Sequence, residues 1–304
     1  MSDYYLVKKS QMNLFKNTPL YCQAKDSSFV LYKKKDEYLE DLRVEEDKHP
    51  DLFVHKKDKD AAIKELFKTL NGVLEQQCLS NDLQKIRSTL YSIIKEALLH
   101  QGKEGLKYLP ETVAILFDRY SEEEKFLEVL TTIKRSSDIV IEHTINVMLL
   151  TLRYCFYHNL PEEKAKHLAL CALLHDVGTS KIKQDLIEAD HRLTDEEFQS
   201  YSAHTILGHA FIRKETGLDP SIARVALEHH ERIDGSGYPK GEKNISEEGQ
   251  LIGLIDCYEP LTYRDKTYRR SKKPFDSLNL IKEEVQQGNF SVTLFKNLCS
   301  CLTE

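Results

Sequence analysis

The sequence predicts a mainly α protein: a C-terminal all-helical bundle with a small α+β module at its N-terminus. Three observations carry that prediction. Apolar residues recur at helical spacing from Ala61 onward. The first 60 residues instead hold short apolar pieces of strand character, YYLV and SSFVLY, separated by Asn17-Thr18-Pro19. No glycine-rich phosphate loop follows a strand, which disfavours a nucleotide-binding α/β fold.

The N-terminal module is expected to carry a helix near Asp36–Val44, inside the charge-dense stretch from Lys33 to Asp60. Ile63, Leu66, Phe67, Leu70, Val73 and Leu74 then mark one amphipathic helix, and Leu83, Ile86, Leu90, Ile93, Ile94 and Ala97 a second. These two helices connect or cover the modules, or pair with another copy of the chain in a homodimer. Gln101-Gly102 and Lys107–Pro110 read as breaks, with helix resuming over Glu111–Arg119 and Ser121–Lys134. Asp138–His158 is one long helix. Pro161 sits just inside the start of the next, which continues through Glu162–Leu174. Thr194-Asp195-Glu196-Glu197 has the form of a capping box, and Pro220 opens Ser221–His230. Gly235, Gly237 and Pro239 break the chain before the last assigned helix, Gly249–Thr262. The implied division is 1–100 for a regulatory or interaction module with connecting helices, 101–135 for a helical linker, and 136–304 for the chemistry.

At 40% hydrophobic and 30% charged residues, the composition is that of a globular protein. A net charge of -6 without a long basic block argues against binding polymeric nucleic acid. The N-terminus MSDYYLVKKS lacks a signal-peptide core, and no membrane role is expected, so the chain is placed in the cytoplasm. Seven scattered cysteines include no CxxC pair and do not suggest a disulfide framework.

Histidine is more informative: nine of the 12 fall between 143 and 230. The centre of the pattern is CALLHDVGTS, where an apolar run leads into His175-Asp176. His143, His204, the pair His229-His230 and Asp256 likewise sit in or at the end of apolar helical patterns. Singly, each is explained as a satisfied core polar group. Five imidazoles and two carboxylates placed this way together point to metal. They exceed the four ligands of a structural zinc site, and they suit two cations that share a bridging carboxylate. Two cations about 3.5–4 Å apart match phosphoester hydrolysis. After the paired histidines, HHERIDGSGYPKG makes a tight loop. There, Asp234 is expected to buttress a ligand histidine, and Tyr238 to offer its hydroxyl to a phosphate or a leaving oxygen.

His175-Asp176, then His204, then HHERIDGSGYP, then Asp256 resemble the HD-GYP family, a bacterial branch of the HD phosphohydrolase superfamily. The likeness runs from about Ser136 to the C-terminus. It implies an HD-type helical bundle that hydrolyses cyclic di-GMP to linear pGpG or onward to GMP. By position, it implies that His143, His175, Asp176 and Asp256 hold one metal. His204, His229 and His230 would hold the other, with Asp176 bridging. The cofactors implied are two divalent ions, iron first and manganese next. A GGDEF-type or other signalling protein is the implied partner besides the cyclic dinucleotide.

Several positions depart from the family pattern. The lysine of its usual HDxGK is Thr179 here, a neutral hydroxyl in place of a cation. Lys181 or Lys183 is expected to reach the phosphate instead, with Lys266 and Arg269 as further phosphate partners. The glutamate that a third metal needs is replaced by Ile139, so two metals are expected. The DxxDAL segment reads Asp256-Cys-Tyr-Glu259-Pro-Leu, and Asn146 stands where Arg or Lys is frequent. The metal ligands are intact and the substrate contacts are eroded. A catalytically weak dinucleotide sensor is therefore the alternative function.

Overall fold

The computed structural model describes residues 3–39, 49–100, 103–120, 126–133, 138–215, 217–263 and 270–303. The chain divides into two compact units, Met1–Gln76 and Gln77–Glu304.

The first unit is built on an antiparallel sheet of four strands: β1 Tyr4–Leu6, β2 Leu20–Gln23, β3 Phe29–Lys33 and β4 Leu52–His55, in the order β1-β4-β2-β3. The pieces YYLV and SSFVLY fall on β1 and β3. No local signal marks β2 or β4, and β4 pairs with partners far from it in the chain. Leu20 and Leu52 are fully buried. The turn at Asn17-Thr18-Pro19 is pinned by Glu65 of helix α1 (Lys59–Ser80), whose carboxylate accepts from the amides of Lys16 and Asn17 and from the Thr18 hydroxyl. The expected helix at Asp36–Val44 does not form over residues 36–39, and residues 40–44 lie outside the described residues.

The second unit has helices and no strand among its described residues. Its helices are α2 Leu83–Lys95, α3 Lys103–Leu106, α4 Leu109–Tyr120, α5 Phe126–Thr132, α6 Ile139–Tyr157 and α7 Glu162–Leu174. They continue with α8 Gln184–Ile187, α9 Asp195–Glu215, α10 Pro220–Glu228, α11 Glu247–Tyr263, α12 Pro274–Gln286 and α13 Val292–Thr303. A mainly α protein with a small sheet-bearing N-terminal module is thus what the structure shows.

Helix α6 is the axis of the bundle. Its apolar residues point in every direction, and it packs against α2, α5, α7, α11 and α13. By length and hydropathy it is the one helix among the described residues that could pass for a membrane span, yet 72% of it is buried by other protein. Asp138 caps its start, where the side chain accepts from the Ile141 amide at 3.4 Å. The capping box at α9 is present as read: the Glu197 carboxylate accepts from the Thr194 amide at 2.9 Å, and Thr194 Oγ1 accepts from the Glu197 amide at 3.3 Å.

Candidate metal centre

The seven polar residues singled out in the sequence converge on one place. His143 projects from α6. His175 ends α7, and Asp176 follows it into a 3₁₀ turn over Val177–Lys181. His204 comes from α9, His229 and His230 follow the end of α10, and Asp256 comes from α11.

Two glycines allow this convergence. A Cβ on Gly178 would stand 2.0 Å from the His204 carbonyl oxygen and 2.6 Å from the Gly208 amide nitrogen. Only a glycine lets the turn after Asp176 lie this close to α9. A Cβ on Gly253 would stand 2.1 Å from the His229 carbonyl oxygen, so α11 reaches the end of α10 by the same means.

The histidine tautomers are fixed from behind. Nδ1 of His175 donates to the Ala172 carbonyl at 2.7 Å, that of His204 to the Tyr201 carbonyl at 2.7 Å, and that of His229 to the Ala226 carbonyl at 3.1 Å. His143 differs: its Nδ1 bonds the carboxylate of Glu259 at 2.7 Å. In a neutral ring, a nitrogen that donates to a carbonyl leaves the other ring nitrogen as a bare lone pair. Those Nε2 atoms face acids. Asp176 Oδ1 is 3.2 Å from His204 and 3.6 Å from His229, and its Oδ2 is 3.6 Å from His175 and 3.9 Å from His143. Asp256 Oδ1 is 2.9 Å from His143 and 3.7 Å from His175, while its Oδ2 is 3.6 Å from Nδ1 of His230.

The result is a buried cluster of acceptors. Nε2 of His204 and of His229 lie 3.5 Å apart, and His175 Nε2 and Asp176 Oδ1 are buried without a hydrogen-bond partner among the described residues. Orphaned acceptors of this kind are costly unless a cation occupies the space between them. The ligand atoms form two overlapping groups, His143-His175-Asp176 and Asp176-His204-His229-His230, with Asp176 common to both. The donor set therefore fits two divalent cations.

The charges agree. Burial opposes ionisation of Asp176, but His175, His204 and His229 outweigh it and hold the carboxyl well below the usual range. Asp256 is lowered in the same way, with His143 and His175 overcoming burial. Burial disfavours a charged His143, yet Glu259 and Asp256 raise its pKa well above the ordinary value. Burial together with the neighbouring His229 holds His230 well below it.

The cluster opens into a cavity of about 330 Å³ whose lining includes His143, Asp176, Thr179, Tyr201, His230, Arg232 and Asp256. Thr179 lines it as the sequence suggested, but its hydroxyl donates to the Asp176 carbonyl at 2.6 Å. Lys181 and Lys183 do not line this cavity; they border a separate depression with Glu196 and Glu197. Tyr238 stacks on His230, ring centroids 4.6 Å apart, and burial holds its hydroxyl protonated far above the usual range. Lys266 and Arg269 lie outside the described residues.

Asp234 does not buttress a histidine. Its carboxylate accepts from the Ser236 amide and hydroxyl, closing its own turn. The residue that shapes the loop is Glu231, which is buried and accepts from the amides of Lys240 and Glu242. Sequence reasoning also missed Arg232, which lines the cavity with its guanidinium 4.3 Å from the Phe290 ring. In the sequence, Glu259 stands out only as a departure from a motif.

A helical bundle in which a His-Asp pair ends one helix, and its neighbours supply further histidines and a closing aspartate, is an HD-type domain. The HD domain model matches residues 128–294, and the chain belongs to that family, in its HD-GYP branch. It is similar to the cyclic di-GMP phosphodiesterase PdeB of Borreliella burgdorferi, 32% identical over 148 residues, 48% of this chain and 38% of that protein. A cyclic di-GMP phosphodiesterase of Thermotoga maritima is 28% identical over 192 residues, 62% of this chain and 52% of that protein. The 3'3'-cGAMP-specific phosphodiesterase 1 of Vibrio cholerae is 26% identical over 233 residues, 74% of this chain and 53% of that protein. The chain thus spans about two fifths to half the length of these curated relatives. Among solved structures, Bd1817, a HDG"Y"P protein from Bdellovibrio bacteriovorus, superposes with a TM-score of 0.66 at 17% identity, covering 99% of this chain and 100% of the other.

Proposed function

We propose that this chain is a metal-dependent phosphodiesterase that hydrolyses cyclic di-GMP to linear pGpG, to GMP, or to both. The observation that carries the reading is the division of buried ligand atoms into two groups joined by Asp176. The relatives named for cyclic di-GMP or cGAMP phosphodiesterase activity support the substrate class.

His143, His175, Asp176 and Asp256 would hold one divalent cation, and His204, His229 and His230 the other, with Asp176 shared. Iron is the first expectation and manganese the second, since imidazole with carboxylate suits both. Such a pair supplies Lewis acidity toward a phosphodiester. The protein's own part is to hold four of the ligand rings in place: backbone carbonyls fix His175, His204 and His229, and Glu259 fixes His143. Asp176 stays ionised and ties the two ligand groups together. Tyr238 holds His230 by stacking and keeps a protonated hydroxyl that can donate to a phosphate or a leaving oxygen. Arg232 is a cation on the cavity wall and orients a phosphate there. Lys266 and Arg269 remain the proposed partners for the second phosphate. Residues 136–304 carry this chemistry, residues 1–100 the regulatory input, and residues 101–135 the link between them, in the cytoplasm. A GGDEF-type signalling protein and a second copy of the chain are the proposed protein partners.

Metal-loaded protein incubated with cyclic di-GMP is expected to yield linear dinucleotide or GMP on ion-pair chromatography, and His175→Ala or Asp176→Ala to abolish it. Intact substrate at high concentrations of the loaded wild type overturns the hydrolase reading. One observation favours the alternative, a sensor that binds without turnover. The Thr179 hydroxyl is neutral and already committed to the Asp176 carbonyl, so this part of the wall offers a phosphate nothing. Tight binding by equilibrium dialysis with no product would establish that alternative.

A further inference from the structure

We propose that Arg87 is a positioning residue for His143, acting from α2 through Asn146 and Glu259. The inference rests on the reading above that His143 holds a metal.

Arg87 lies upstream of the residues that match the HD domain, on the buried face of α2 with Ile86, Leu90, Ile93 and Ile94. It is fully buried. A guanidinium is costly in such a place unless its surroundings use the charge. One nitrogen makes all of its hydrogen bonds. Nη2 donates to the Glu142 carboxylate at 2.5 Å, to the Asn146 side-chain carbonyl at 2.8 Å, and over 3.4 Å to the Glu142 backbone carbonyl. Among the described residues, Nε and Nη1 find no partner. Pairing with Glu142 alone would neutralise the charge, so the bond to Asn146 calls for another reason.

Its effect is to set which way the Asn146 amide points. With the amide oxygen held by the cation, Nδ2 is turned to Glu259, where it donates to Oε1 at 2.6 Å. The other oxygen of Glu259 bonds His143 Nδ1 at 2.7 Å. Each role along the chain is fixed: the cation donates to the amide oxygen, the amide NH₂ donates to one carboxylate oxygen, and the imidazole N–H donates to the other. The last group presents Nε2 toward Asp256 and Asp176. His175, His204 and His229 take their Nδ1 bonds from backbone carbonyls within their own chain segments. His143 is the ligand of this set whose orientation and basicity depend on a side-chain relay, and the relay begins on a helix outside the matched domain. A carboxylate behind a ligand histidine strengthens it as a ligand, and losing such a partner typically costs about 10–100-fold in metal affinity.

The relay therefore reaches one metal site and not the other. The test is manganese titration of metal-free protein, read by calorimetry and by elemental analysis, with ¹⁵N NMR of the His143 Nδ1 proton in the metal-free state. Two variants break the chain at different links. Arg87→Met with Glu142→Gln removes the cation without stranding a bare carboxylate. Asn146→Leu leaves the Arg87–Glu142 pair in place. Both are expected to weaken the site containing His143 by about 10–100-fold, to leave the His204-His229-His230 site within twofold, and to lose the protected Nδ1 signal. Arg87→Lys keeps a cation near Asn146 and is expected to restore part of the affinity, since one nitrogen of Arg87 makes all of its bonds. With Glu259→Gln already present, Asn146→Leu is expected to add little, because both act on one chain. Wild-type affinity at the His143 site in both breaking variants overturns the proposal, as does an equal loss at both sites, which would mark Arg87 as structural. If wild-type protein binds no manganese, the metal reading fails. The Nδ1 signal then decides on Arg87: lost in both variants supports the relay, unchanged overturns it.

Discussion

Asp176 Oδ1 stands 3.2 Å from His204 Nε2, while its second oxygen faces His175 and His143. One carboxylate thus serves histidines from α6, α7 and α9, and it is the residue common to both groups of ligand atoms. Asp176→Asn keeps the shape and removes the charge. It is expected to lose both metals in elemental analysis of reconstituted protein, whereas Asp256→Asn loses the ion near His143 first. Equal retention of two metals by Asp176→Asn would show that this carboxylate is not shared.

The metal-free protein should be most stable near pH 6.5. His143 and His175 hold protons more tightly when folded, so their contribution is complete below the unfolded value of about 6.5 and fades as pH rises through their folded values. His204 and His230 hold protons less tightly when folded, so stability also falls as pH drops below about 6.5 and the unfolded chain takes up protons that they refuse. Asp176 and Asp256 titrate well below their unfolded values, and their contribution disappears as pH falls below about 4. Thermal melts from pH 4 to 9 on chelated protein check this. Bound divalent ions replace the protons on His143 and His175 and should move the optimum upward.

Gly178→Ala tests how tightly the His-Asp turn is seated. The added methyl has no room beside the His204 carbonyl, so the turn must shift at a cost of about 1–3 kcal/mol. Differential scanning calorimetry should show a Tm several degrees lower, and metal affinity should drop with it, because the same movement separates Asp176 from His204.

Tyr238→Phe should separate the two roles of this ring. The stack on His230 survives and the hydroxyl does not, so metal content is expected to remain while kcat falls by about 100-fold. Tyr238→Ala should reduce both. If Tyr238→Phe turns over like wild type, the hydroxyl takes no part.

Thr179→Lys places a cation on the wall of the cavity. Charge-assisted contact with a phosphate is worth about 1.5–3 kcal/mol, so turnover should rise by about tenfold or more if its absence is limiting. No gain would favour binding without turnover.

Much of the helical unit was legible because its signals are local. The 3.6-residue period located α6 and α7 to within a residue or two, and Thr194 and Glu197 marked the start of α9. The cluster of histidines and aspartates was legible because metal chemistry needs particular side chains at the ends of apolar runs. Pairings between distant segments were not. Strand β4 inserts between β1 and β2, and nothing near Leu52 announces it. Asp234 was read as a partner for histidine, but the Ser236 amide two residues on satisfies it first. Arg87 did leave a trace: it occupies a core position in the repeat of Ile86, Leu90 and Ile94, where a cation needs a reason. That the reason is Asn146 and, beyond it, Glu259 requires the packing of α2 on α6 and of α6 on α11.

The most direct measurement is anomalous X-ray diffraction from crystals grown after anaerobic reconstitution with iron or manganese. The account predicts two peaks about 3.5–4 Å apart with an oxygen of Asp176 between them, one against His143, His175 and Asp256, the other against His204, His229 and His230. A single peak, or peaks away from these residues, would contradict it.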